Sequence, residues 1–351
     1  MVVFPYIDYF RLVAAILVVI IHTSPLLSMN VTADFVLTRI LARVAVPFFF
    51  MASGFFMSFK NTTLENQKQG KEHLNRFLYK TFQLYLIAIV LYLPLNLYMG
   101  YFKEDFTIWN FLKDLFLNGT IYHLWYLPAA ILGALIAFQS LNKLGTKKAL
   151  IIAGVLYVIG IFGDSYYYFI PSHSMGYEFY EFLFQFFAYT RNGIFFAPIF
   201  FILGILADRQ KTRLNPKTLW LFFITSMSLM VGEGLLLHFN QIQRHDSMYF
   251  MLIPSMYFLF QLLLKEDGKK TNKFMGIKMK TKDFRNISMV IYIIHPLVIV
   301  VIRLFGKVTG LTDLLVTYSF LHFICVLTGS ILIGILFTKI KSKKISNPAR
   351  L

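Results

Sequence analysis

Cysteine and charge are scarce in this sequence. Only one of its 351 residues is a cysteine, Cys325, so no disulfide can form within the chain, and no Cys/His cluster has zinc-site spacing. Charged residues make up 15%, whereas a soluble globular domain carries about 25%. Hydrophobic residues make up 57% and aromatic residues 18%. A soluble core of this length does not need so much apolar surface, but the lipid-facing side of a membrane protein does.

Several catalytic motifs are missing as well. The sequence has no Walker loop, no G-x-S-x-G and no H-E-x-x-H, which argues against phosphate-driven transport and zinc proteolysis. The net charge of +17 is compatible with nucleic-acid binding, but the basic residues lie in short segments between apolar runs. That distribution is typical of cytoplasmic loops that face anionic lipid headgroups. We therefore expect membrane lipids as partners, no nucleic acid and no bound metal.

Ten apolar runs approach the length of about 20 residues that a spanning helix needs. The runs lie near 6–26, 36–59, 77–99, 122–141, 149–170, 190–207, 217–238, 248–264, 286–305 and 314–338. We predict an all-α polytopic membrane bundle of about ten transmembrane helices. The sixth run is short, and the amphipathic segment 178–191 before it either lengthens that helix or lies in the membrane interface. Residues 107–118 pose the same choice before the fourth run.

Lysine and arginine are distributed unevenly between alternate connecting segments. Five segments hold 25 of the 34 basic residues: 60–80, 143–148, 209–217, 265–285 and 339–350. The segments that alternate with them hold four. The positive-inside rule then predicts a multi-pass protein of the cytoplasmic membrane with both termini inside. We expect one transmembrane domain over 1–340 and a basic cytoplasmic tail over 341–351, which is either an ordinary tail or a linker to a further domain.

The first apolar run holds the main catalytic candidates, because a charge at the bilayer centre costs at least about 2.5–3.5 kcal/mol. Arg11 and His22 are eleven residues apart, about three helical turns, so they share one helix face. We predict that Arg11 attracts an anionic group from the cytoplasm and that His22 is a general base near the outer side. Asp8 would orient Arg11. The structural alternative is an Asp8–Arg11 pair and a His22 that bonds a backbone carbonyl.

Other apolar runs contribute candidates for substrate binding. Arg39 and Arg43, four residues apart, either bind an anion or reach outer headgroups, and Arg191 poses the same choice. Tyr292 and His295 lie on one polar stripe, which serves either substrate binding or helix–helix hydrogen bonding.

Glu233 in the seventh run is a further candidate for substrate binding. A carboxylate inside the membrane needs a partner, for which the arginines named above are candidates.

Three groups of motifs, in this order, resemble the membrane acyltransferase family 3. They are Asp8 to Arg11 with Ala14-Ala15 and His22 (an R-x₁₀-H signature), Val46 to Phe50 with Ser53 to Phe55, and Ile291 to Pro296. The resemblance covers essentially the whole chain and implies ten helices with catalytic Arg11 and His22. It implies an O-acyltransferase that moves an acyl group, acetyl in the simplest case, from cytoplasmic acyl-CoA. The acceptor would be a hydroxyl on an extracytoplasmic glycan or envelope precursor.

Within that family, three motifs resemble the membrane domain of VanT-type serine/alanine racemases. They are His22 to Pro25, His123 to Pro128, and Thr190 to Gly193 with Phe195-Phe196. In that branch the membrane half is thought to take up L-serine for a fused cytoplasmic racemase. The alternative function is therefore an L-serine carrier, with a racemase domain or protein as partner. Sugar-modifying family members carry an acidic residue after the tryptophan of the fourth-helix region, and Trp125 is not followed by one.

Overall fold

The computed structural model describes residues 4–57, 64–102, 106–209, 212–267 and 281–346, and it contains only helices and connections over those ranges. The α-helices are α1 (Pro5–Thr23), α2 (Val31–Phe35), α3 (Ala45–Phe56), α4 (Leu64–Tyr98), α5 (Ile108–Lys113), α6 (Tyr126–Phe162), α7 (Met175–Phe184), α8 (Ala197–Arg209), α9 (Pro216–Phe239), α10 (Leu252–Asp267), α11 (Thr281–Thr309) and α12 (Ser319–Ser346). Each of the ten predicted runs overlaps a helix. The prediction of an all-α protein is confirmed.

Seven helical segments among the described residues are long and apolar enough to cross a membrane. They are Pro5–Thr23, Val31–Phe56, Lys68–Tyr98, Tyr126–Phe162, Pro216–Phe239, Asp283–Thr309 and Ser319–Ser342. Large apolar side chains such as Val90, Leu221 and Val301 are exposed on the outer faces of these helices. Only lipid would solvate such faces, so this is a multi-pass membrane protein.

The longest helix, α6, is interrupted by a glycine. Gly145 has φ 75° and ψ 171°, a left-handed backbone conformation that a residue without Cβ adopts without steric cost. The predicted connecting loop 143–148 contains this break, and the fourth and fifth apolar runs lie on either side of it.

The second apolar run is helical from residue 36 to residue 56 but irregular in its middle. It begins at α2, passes through a π-helical turn (Val36–Ile40) and a 3₁₀ turn (Leu41–Val44), and ends in α3. The helix therefore starts earlier than predicted, where the Asn30 side chain accepts the Ala33 N–H at 2.8 Å.

The two amphipathic segments are short separate helices. Helix α7 ends before α8 begins, and α5 with its π-helical extension Asp114–Asn118 ends before α6 begins. Neither segment lengthens the following helix, so that alternative is wrong. At the other end of the chain, α12 continues through the first six residues of the predicted tail, and residues 347–351 lie outside the described part.

The chain divides into two compact units. The first comprises Met1–Phe49, Leu214–Val231 and Pro254–Leu351. Its core is built by α1, α11 and α12, with Ala15 and Val19 on α1 packing against Ile291 on α11 and Val326 on α12. These residues recur at helical spacing on each element, so each helix buries one stripe against the other two.

The start of α1 is fastened by a side chain from the end of α10. Asp267 accepts the Tyr6 N–H at 2.8 Å and the Ile7 N–H at 3.4 Å, and α1 has no cap from its own N-cap residue. Burial raises the pKa of the Asp267 carboxyl to about 6, and the nearby charge of Asp8 adds to the rise. Sequence analysis missed this contact because Asp267 opens a long basic segment that looks like a loop.

The second unit comprises Phe50–Arg213 and Gly232–Ile253. Two glycines bring α3 and α8 together at backbone distance. A Cβ added to Gly204 would overlap the Met51 carbonyl, and one added to Gly54 would overlap the Phe201 carbonyl. Small residues at helix crossings are typical of membrane bundles, where close backbone approach supplies much of the packing energy.

Gly204→Ala should destabilise the protein by about 1–3 kcal/mol, because the new methyl group must push the two backbones apart. The matched control is Gly232→Ala on α9, where an added Cβ meets no described atom within 4 Å. That change should be neutral or stabilising, since alanine is the better helix former. Thermal unfolding of the detergent-solubilised protein measures both, and equal shifts for the two variants would contradict the packing argument.

Asp267→Ala should cost about 1 kcal/mol of stability, the usual value of a helix N-terminal cap. Asp267→Asn keeps an oxygen that can accept one of the two N–H groups, so its loss should be smaller. The same unfolding measurement ranks the variants. If alanine and asparagine were equally harmful, the contribution of Asp267 would lie in its charge and not in the cap.

Candidate functional site

The first turns of α1 carry an ion pair, the arrangement that the sequence offered as the structural alternative for Asp8 and Arg11. Arg11 Nη1 lies 3.1 Å from Asp8 Oδ1, one helical turn earlier, and the side chains are 12% and 7% exposed. The contact is common to both interpretations, in which Asp8 either orients Arg11 toward a ligand or simply pairs with it. Because the carboxylate offsets the guanidinium charge, the pair offers a cation and an anion side by side and not a lone positive charge.

The two histidines singled out by the sequence meet in the first unit. The rings of His22, in the last turn of α1, and His295, on α11, stack with centroids 5.2 Å apart and planes inclined by 28°. His295 is fully buried, and its Nδ1 lies 3.0 Å from the Ile291 carbonyl oxygen. A carbonyl only accepts, so Nδ1 carries the proton in this contact and Nε2 is the acceptor nitrogen of the neutral ring.

Tyr292 lies one turn before His295, with ring centroids 6.5 Å apart. Sequence spacing predicted that Tyr292 and His295 share a stripe, and the structure places that stripe on the α1 side of α11, next to His22.

A cavity of about 460 Å³, lined by polar groups and by Leu27 and Val316, opens beside His22. Arg303 from α11, together with Ser319 and His322 from α12, lines it with His22, and further serine and threonine hydroxyls complete the wall. None of the described lining residues is acidic. The cavity therefore offers imidazole nitrogens, hydroxyls and one guanidinium to a ligand.

The wall of this cavity is held by hydrogen bonds between chain segments far apart in sequence. Ser24 ends α1 in a left-handed conformation, φ 46°, which turns the chain directly after His22. Ser28 Oγ lies 2.8 Å from Ser319 Oγ, and the Ser319 hydroxyl donates to the Pro25 carbonyl at 3.0 Å. The start of α12 is thereby fixed against the segment that follows α1.

Arg303, Ser319 and His322 were missed by the sequence analysis. His322 is an imidazole inside an apolar run, the same signal that singled out His22 and His295, and it was overlooked. Arg303 stands near the end of its run, where a cation is usually an ordinary interfacial side chain. No one-dimensional pattern shows that α11 and α12 bring these residues to the end of α1.

Arg39 and Arg43 lie in the irregular turns between α2 and α3, and these turns pack against α1. Arg43 is 8% exposed, and its Nε donates to the Arg39 carbonyl at 3.4 Å. Burial of this guanidinium favours an interior role over contact with headgroups. Irregular helical turns are frequent at functional sites.

In the second unit, Arg191 stands among polar and aromatic contacts. Its Nη1 lies 2.9 Å from Ser247 Oγ, and its guanidinium lies 4.3 Å from the centroid of the Tyr189 ring. A cation over an aromatic face is a common stabilising arrangement.

Glu233, also in the second unit, is held by backbone and hydroxyl donors. It accepts hydrogen bonds from the Phe250 N–H at 2.6 Å, the Met251 N–H at 3.0 Å and the Tyr166 hydroxyl at 2.9 Å. These groups take the place of the arginine that the sequence suggested as its partner. A second buried acid that sequence analysis missed, Asp164, accepts the Ser247 and Met248 N–H groups in the same way.

Comparison with known proteins agrees with the family signature. Residues 4–339 match the acyltransferase domain family Acyl_transf_3. The chain is 44% identical over 336 residues to an amino-acid racemase of Enterococcus faecalis, covering 96% of this chain and 45% of the relative. A second amino-acid racemase of that organism is 35% identical over 338 residues, with 96% and 46% covered. A serine/alanine racemase of Enterococcus gallinarum is 36% identical over 290 residues, with 83% and 40% covered.

The chain spans less than half the length of these curated relatives. No solved structure matches it. The family match covers nearly the whole chain and includes Arg11, His22 and His295. The chain belongs to the acyltransferase 3 family of membrane proteins and is related over nearly all its length to part of the VanT-type amino-acid racemases.

Proposed function

We propose that this protein takes up a small amino acid, L-serine, through the cytoplasmic membrane and delivers it to a racemase. The observation that carries the proposal is the similarity to three amino-acid racemases, one of them named for serine and alanine, over less than half of their length. The part of those relatives that this chain matches consists here of membrane helices. A membrane component of a racemase system is most simply the part that supplies substrate.

The proposal includes ten spanning helices with both ends of the chain in the cytoplasm. The uneven distribution of lysine and arginine supports this orientation. With it, α1 and α11 run outward and α12 runs back. The end of α1, the later part of α11 and the start of α12 then share the outer side, so the cavity beside His22 receives ligand from outside.

Two polar regions of the first unit, the cavity beside His22 and the Asp8–Arg11 pair, could each bind a zwitterion as it crosses the membrane. At the outer end, Arg303 and the cavity hydroxyls offer groups for a carboxylate and a hydroxyl. At the inner end, Arg11 and Asp8 offer a cation and an anion one turn apart, which complement the carboxylate and ammonium groups of an amino acid.

A second candidate function is O-acyl transfer, which the family match and the His22–His295 pair favour. Acyl-CoA, acetyl-CoA in the simplest case, would donate from the cytoplasm to a hydroxyl on an extracytoplasmic glycan or envelope acceptor. His22 would take the hydroxyl proton while the oxygen attacks the acyl carbonyl, and the coenzyme A thiolate would leave. Arg11, Arg39 and Arg43 are the candidate contacts for anionic groups of the donor.

One experiment separates the two functions. The purified protein is reconstituted in liposomes, and entry of labelled L-serine is followed with and without acetyl-CoA. Uptake without acetyl-CoA supports the carrier. Absence of uptake, together with calorimetric binding of acetyl-CoA alone, would overturn it in favour of the transferase.

His22→Ala should reduce serine uptake by at least about tenfold, the effect of losing one hydrogen bond to a charged ligand. His238→Ala is the matched control, because His238 is an exposed histidine near the end of α9 in the second unit. It should leave uptake unchanged. If the His22 variant transported serine normally at an equal amount of folded protein, His22 would have no role in serine transport.

A further inference from the structure

His322 lines the cavity and has a buried ring nitrogen without a hydrogen-bond partner in the described part of the chain. The side chain is 3% exposed, and its Nδ1 lies 2.8 Å from the Leu315 carbonyl oxygen. Nδ1 is therefore the protonated nitrogen, and Nε2 is an acceptor. Nε2 is buried and has no hydrogen-bond partner among the residues that the structure describes.

A buried acceptor without a partner is costly, because its desolvation is not compensated. Most buried polar atoms avoid this cost by bonding protein or ordered water. His322 lines the cavity, so a ligand bound there lies beside the ring, and a ligand donor that reaches the buried Nε2 would remove the penalty. The nitrogen can therefore accept a hydrogen bond from a hydroxyl or an amine of a ligand.

Arg303 supplies the complementary charge. It lines the same cavity, and its positive charge is close enough to His322 to interact electrostatically with the imidazole. Arg303 is exposed, and none of the described lining residues offers a carboxylate to its guanidinium. Guanidinium groups bind carboxylates through paired hydrogen bonds, so an anionic ligand group is favoured at this position.

We propose that Arg303 and His322 form the recognition end of the cavity. Arg303 binds the carboxylate of a small hydroxy acid, and His322 Nε2 accepts its hydroxyl hydrogen. Naming L-serine as that ligand rests on the proposed function, whereas the assignment of the two protein groups rests on the cavity itself. Ser319, hydrogen-bonded to Ser28 and to the Pro25 carbonyl, belongs to the wall of the same cavity.

The test uses three ligands that differ by one group each: L-serine, L-alanine without the hydroxyl, and ethanolamine without the carboxylate. Binding to the purified full chain in detergent is measured by titration calorimetry. Wild-type protein should prefer serine over each of the other two by about tenfold or more.

Each variant should abolish one preference and keep the other. Arg303→Gln should make serine and ethanolamine bind alike while serine still exceeds alanine. His322→Phe, which keeps a ring and removes the acceptor, should make serine and alanine bind alike while serine still exceeds ethanolamine. His322→Gln keeps an acceptor and should retain part of the hydroxyl preference. Lys307→Gln, at an exposed cation one turn beyond Arg303, is the control and should change neither ratio.

The outcomes distinguish this site from the carrier proposal. If wild-type protein binds serine and both variants keep both preferences, the recognition site is wrong and the carrier proposal stands. If the preferences change as described but liposomes take up no serine, the site stands and the carrier proposal falls. If wild-type protein binds no serine at all, both fall.

Discussion

The packing of α1 against α11 and α12 is the interaction on which the candidate site depends. Ala15, Val19 and Ile291 are buried in the core that these helices share. His22 and His295 follow on the same stripes, which is why their rings stack at 5.2 Å. The apolar contacts between these helices position a few polar residues, His22 and His295 among them, next to one another. A substitution that loosened this packing would therefore separate the two histidine rings without changing either residue.

Buried polar groups in this protein fall into two kinds, and their hydrogen bonds tell them apart. Glu233 and Asp164 accept two backbone N–H groups each from residues 247–251, so they hold that segment in place. Asp267 does the same for the start of α1. His322 lines a cavity, and its buried Nε2 has no such donor in the described part of the chain. A group of the first kind stabilises the fold, and one of the second kind has capacity left for a ligand.

The sequence predicted the membrane class and the helical content, and it singled out His22 and His295 as candidates, because apolar length and isolated ionisable residues are local signals. The spacing of Asp8 and Arg11 also made their ion pair one of the two alternatives that the sequence left open. The break at Gly145 and the irregular turns that carry Arg39 and Arg43 depend on backbone conformation, which a hydropathy pattern does not record. The junction of Ser28 with Ser319 and the role of Arg303 depend on which helices become neighbours. That information lies in packing between residues nearly 300 positions apart.

The electrostatics of the cavity weigh on the choice between carrier and transferase. A general base must accept a proton and carry a positive charge for part of each cycle. His22 would do so beside a second imidazole, in a cavity that already holds Arg303 and whose described lining contains no acid. The absence of an acidic residue after Trp125 points the same way. Binding a carboxylate, as the carrier proposal requires, makes no such demand, because the ligand itself would bring a negative charge to Arg303. The groups that would oppose proton transfer at His22 would therefore assist the binding of an amino-acid carboxylate.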